Sequence, residues 1–99
     1  MEFFIDFVHL DRAIEAVKAN EDKGKLISGT DICPIAQSAR ETYPEAWVTG
    51  DAVLHLESDD VFDYQGDEKV ESIIAFFDAR KYKTVRSMLP TRVTFTRRP

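Results

Sequence analysis

The chain has 99 residues, 43% apolar and 31% charged, with a formal net charge of −5. That length and balance suit one globular domain, residues 1–99, built on a single hydrophobic core, and they exclude a disordered chain. A single cysteine, Cys33, excludes an internal disulfide framework or a cysteine zinc cage, and no stretch approaches the ~20 apolar residues of a membrane span. The expected protein is soluble, in a reducing, cytoplasmic setting.

The opening MEFFIDF is acidic and alternating, unlike the basic start and apolar run of a signal peptide. Residues 3–8 read as a strand, with Phe3, Ile5 and Phe7 on the buried face. From His9 to about Asn20 the period changes. Leu10, Ala13, Ile14 and Val17 make the stripe of an amphipathic helix, and His9 sits where it can help cap that helix. The polar connector 20–31 follows, with Asn20 or Gly24 expected to end the first helix and Thr30 or Asp31 to cap the next. Pro34 suits a first helical turn, and Ile35, Ala36, Ala39 and Tyr43 form a short stripe that stops before Pro44.

Residues 46–58 read as a β-hairpin with a two-residue turn at Gly50-Asp51, glycine first. The acidic stretch 58–68 has room for a short strand at Val61–Gln65. A third helix starts at the cap Asp67, carries the stripe Val70, Ile73, Ile74 and Phe77, and places Arg80 and Lys81 in its last turn. Val93 and Phe95 alternate with Thr94 and Thr96 in a closing strand. The predicted order is β-α-α-β-β-(β)-α-β. It implies an α+β two-layer sandwich, three helices packed on one mixed or antiparallel sheet.

Three segments together resemble a group of small tailed-phage and prophage accessory proteins. They are CPIAQSA (33–39) opening a helix, IAFFDARKYKTV (74–85) with its Phe-Asp pair, and the Phe-containing strand RVTFT (92–96). The resemblance implies a phage protein acting in the cytoplasm of a bacterial host. Proteins of that kind often inhibit host machinery, including CRISPR and restriction systems. It carries no catalytic assignment.

Charge is unevenly distributed along the chain. Residues 1–79 hold all 18 acidic residues and 6 basic ones, whereas 80–99 hold 7 basic residues and no acid. Either the tail folds back on the acidic body, or the two signs occupy separate surfaces for a charged partner. The second layout supports a non-catalytic protein-binding module, an inhibitor whose acidic candidates Asp59, Asp60, Asp63, Asp67 and Glu68 meet a basic surface on a host protein. Trp47, Tyr64 and Tyr82 are its aromatic anchors. The bland reading of the same five carboxylates is a solvated loop.

An alternative is nucleic-acid binding through Arg80, Lys81, Lys83 and Arg86 with Tyr82 interleaved, disfavoured by the net negative charge. A second alternative, a small enzyme or metal site, would rest on Cys33 or the acidic loop. Cys33 is better read as a buried apolar residue, since a nucleophile needs a base and only His9 and His55 are available. No metal-ligand spacing is present, and no cofactor or catalytic residue is expected. Homodimerisation through the first or last strand is compatible with each reading, because exposed edges pair readily.

Overall fold

The computed structural model describes residues 1–23, 32–56 and 63–98. Thr30, Asp31, Asp59 and Asp60 lie outside them. The elements run β1 (Glu2–Ile5), α1 (Phe7–Asp22), α2 (Pro34–Thr42), β2 (Trp47–Val48), β3 (Val53–His55), β4 (Asp63–Gly66), α3 (Glu68–Asp78), α4 (Tyr82–Ser87) and β5 (Thr91–Arg97). The five strands form one antiparallel sheet in the order β1-β5-β4-β3-β2. The α+β layering expected from the sequence is what is found, with four helices among the described residues in place of three.

The first strand is shorter than its alternation suggests, because Asp6 starts a helix. Its side chain accepts from the Phe7 N–H at 2.7 Å, and His9 Nδ1 accepts from the Asp6 N–H at 2.9 Å, a reciprocal capping box. The helix therefore begins two residues before His9. Phe7 falls on its outer surface, 40% exposed, and is no part of the sheet-side core.

The second helix is capped by Cys33, one residue before Pro34. Its Sγ accepts from the Ala36 N–H at 3.5 Å.

Helix α3 starts as expected at Asp67 but stops at Asp78. Arg80, at φ 60°, and Lys81 form a Schellman closure, with their N–H groups donating to the Phe77 and Phe76 carbonyls. Arg80 and Lys81 thus follow the helix and lead into α4.

The hairpin turn also differs from the two-residue expectation. The Ala52 N–H donates to Thr49 O and the Thr49 N–H to Val53 O, so the loop is Gly50-Asp51-Ala52, with Ala52 left-handed at φ 62°. That conformation costs an alanine about 1 kcal/mol. It is offset locally: Ala52 is buried, and its carbonyl accepts from the Gly66 N–H at 2.8 Å. A Cβ on Gly66 would lie 2.8 Å from Val70 and 3.0 Å from that carbonyl, so glycine lets β4 approach α3 and the turn.

One face of the sheet carries Phe3, Ile5, Val48, Leu54, Val93 and Phe95, all buried against α2 and α3. Phe3 meets Phe95 edge-to-face at 6.0 Å. Ile35, Ile73, Ile74 and Phe77 fill the core from the helix side, while α1 and α4 pack outside on α2 and α3. The sheet curls until both outer strands, β1 and β2, reach α2. The Ser38 hydroxyl donates to Phe4 O beside β1, and Arg40 Nε donates to Ala46 O beside β2. The last strand, β5, is interior to the sheet, so no dimer forms through it as an edge.

Candidate functional site

Alternation sends the other side chains of the same strands to the outer, helix-free face. They are Glu2 and Phe4 from β1, Arg92, Thr94 and Thr96 from β5, Asp63 and Gln65 from β4, Val53 and His55 from β3, and Trp47 from β2. Most are exposed. Phe4, at 45% exposure, has the Arg92 guanidinium over its ring at 5.7 Å.

At the opposite edge, Trp47 stands directly across from His55 in the register, and the two rings are stacked, 3.9 Å between centroids and 6° from parallel. His55 in turn faces Asp63 across the next strand pair, with Nδ1 2.8 Å from Oδ1. That contact has the length of an ion pair without the alignment of a hydrogen bond, and Oδ1 finds no other donor among the described residues. Arg98, just past β5, lies 3.6 Å from Oδ2, and its N–H donates to the Asp63 carbonyl at 2.9 Å.

A carboxylate thus steadies an imidazole, and the imidazole backs an indole that stays 37% exposed. Such a ring is rigid and partly desolvated before anything binds, which lowers the entropy cost of a contact there.

Of the three aromatic candidates, Trp47 alone is exposed. Tyr64 points to the helix side and packs half-buried on the core, and Tyr82 lies half-buried against Phe77 at 5.4 Å. Among the acidic candidates in the described residues, Asp63 belongs to the His55 cluster. Asp67 is structural: its two oxygens accept from the Val70 and Thr94 N–H groups, tying the start of α3 to β5. Glu68 is exposed in the first turn of α3.

Three of the seven cations of 80–98 pair with carboxylates of the acidic body. Arg80 pairs with Glu21, Arg86 with Asp11 at 2.7 Å, and Arg98 with Asp63. Arg86 also sits over the Phe7 ring at 5.6 Å, and Lys81 over Phe76 at 6.0 Å, while Lys83 is exposed at the edge of a shallow groove with Phe7 and Ser87. The tail folds back. At these three pairs the two signs meet, so the tail and the acidic body do not occupy wholly separate surfaces.

The remaining chemical candidates are also placed. Cys33 is wholly buried, and desolvation outweighs the Ala36 and Ile35 N–H groups, pushing its thiol up to about 11. A nucleophilic cysteine needs the opposite shift and access to solvent. His9 is consumed by its cap and by Glu41, whose Oε1 lies 2.6 Å from Nε2. His9, His55 and Cys33 therefore lie in three separate environments, and no group of three His, Cys, Asp or Glu among the described residues is placed to hold a metal ion. No helix among them is long and apolar enough to cross a membrane.

No family model matches the chain, and no curated protein or solved structure does either.

Proposed function

We propose that this chain is a non-catalytic protein-binding module whose contact surface is the helix-free face of the sheet, anchored on Trp47. The observation that carries the reading is the stack of Trp47 on His55, held from behind by Asp63 and Arg98. Exposed aromatics in fixed geometry, ringed by short polar side chains, are the usual energetic centres of protein contacts. Gln65, Thr94 and Thr96 are exposed on the same face, on β4 and β5. The phage setting implied by CPIAQSA, the Phe-Asp pair and RVTFT makes the partner a factor of a bacterial host, with inhibition as the consequence of occupying it.

Affinity capture from bacterial lysate with wild type and Trp47→Ala tests this. A partner retained by wild type should be lost from the variant, an affinity drop of roughly thirtyfold or more. Equal capture by both would contradict the proposal.

A further inference from the structure

The surroundings of Trp47 say what should dock on it. Between Arg40 and Lys69 the sequence holds nine carboxylates, from Glu41 to Glu68, and no Lys or Arg. The whole of β2, the turn, β3 and β4 belongs to this segment. Several of the nine are internally engaged: Glu41 with His9 and Arg12, Asp63 with His55 and Arg98, Asp67 as a cap. Glu45 and Asp51 are exposed, make no ion pair among the described residues, and flank β2, one two positions before Trp47 and one in the turn after it.

Two cations of this region have partners already: Arg40 donates to Ala46 O, and Arg98 lies against Asp63. One side of the indole is covered by His55. An indole face is electron-rich and attracts ammonium and guanidinium groups. The chain as a whole, at −5, steers cations toward itself and anions away.

We infer that the segment seated on Trp47 is cationic: an Arg or Lys side chain of the partner protein packs against the part of the indole that His55 leaves open, with Glu45 and Asp51 meeting cations beside it. This rests on the proposed role of Trp47 and adds the chemistry of the occupant.

The test titrates the full chain with a blocked Gly-Arg-Gly-Arg-Gly peptide and with its Glu counterpart, read through the emission of Trp47, the one tryptophan in the sequence. The Arg peptide should give a saturable change, weakened roughly tenfold in a Glu45→Lys, Asp51→Lys double variant and again on raising salt well beyond about 0.1 M. The Glu peptide should give none. No response to the Arg peptide, or an equal response to both, overturns the inference. If lysate capture still depends on Trp47 in that case, the anchor stands and the cationic occupant falls. If the peptide binds but Trp47→Ala captures the same partner as wild type, the anchor falls instead.

Discussion

The two faces of the sheet are made by the same strands and obey opposite rules. On the helix side, Phe3, Ile5, Val93 and Phe95 sit in a continuous core, where each gains from the area it hides. On the outer side, Phe4 and Trp47 stay partly exposed, each with a cation or imidazole laid against its ring. Burial pins the first set. The second is held by particular pairs, Phe4 with Arg92 and Trp47 with His55, which add little to stability. The proposed contact surface gives these partly exposed rings a role that packing does not.

That contrast orders the expected effects of substitution. Phe95→Ala, on the packed face, should lose about 3–5 kcal/mol by urea denaturation. A loss under about 1 kcal/mol would mean the core is not where the burial places it.

The buried thiol gives a pH version of the same test. Cys33 has a folded value near 11 against an ordinary 9.0, so its contribution is fully present below pH 9 and is lost as pH rises through about 11. The loss should be about 3 kcal/mol, and it should be absent from Cys33→Ala measured over the same range.

Asp67→Ala removes a helix cap and a partner of Thr94 together, an expected cost of about 1–2 kcal/mol. At the small end, Trp47→Ala and Arg86→Ala should each cost about 1 kcal/mol or less, since one loses an exposed stack and the other a surface ion pair. A large fall in Tm for Trp47→Ala would recast the indole as structural and erase the difference between the faces.

Periodicity made the packed face readable in the sequence. In the stripe Leu10-Ala13-Ile14-Val17 all but the half-buried Ile14 proved buried, as did Val70-Ile73-Ile74-Phe77 and the alternating Val93 and Phe95. The misreadings came from competing local chemistry. Asp6 and His9 cap a helix inside what alternates like a strand, and a left-handed Arg80 ends α3 without the glycine that usually marks such a stop.

The candidate site was hidden by a single residue. A two-residue turn at Gly50-Asp51 would set Trp47 opposite Leu54; the three-residue loop ending at left-handed Ala52 sets it opposite His55. Nothing in the local sequence favours alanine in that conformation, and it is the long-range contact of Ala52 with Gly66 that selects it. Asp63 then follows from the β3–β4 register, which the acidic composition of 58–68 does not reveal. Charge counting gave the asymmetry of the chain but not its resolution, because Arg80, Arg86 and Arg98 find partners 59, 75 and 35 positions away only in the folded protein.

Footprinting of the complex with the captured partner addresses the central claim most directly. Hydroxyl-radical labelling of the free and bound chain should show protection at Trp47 and along Gln65, Thr94 and Thr96, with Phe7 and Lys83 on the α1–α4 side labelled equally in both. Protection confined to Phe7 and Lys83, with Trp47 unchanged, would contradict it.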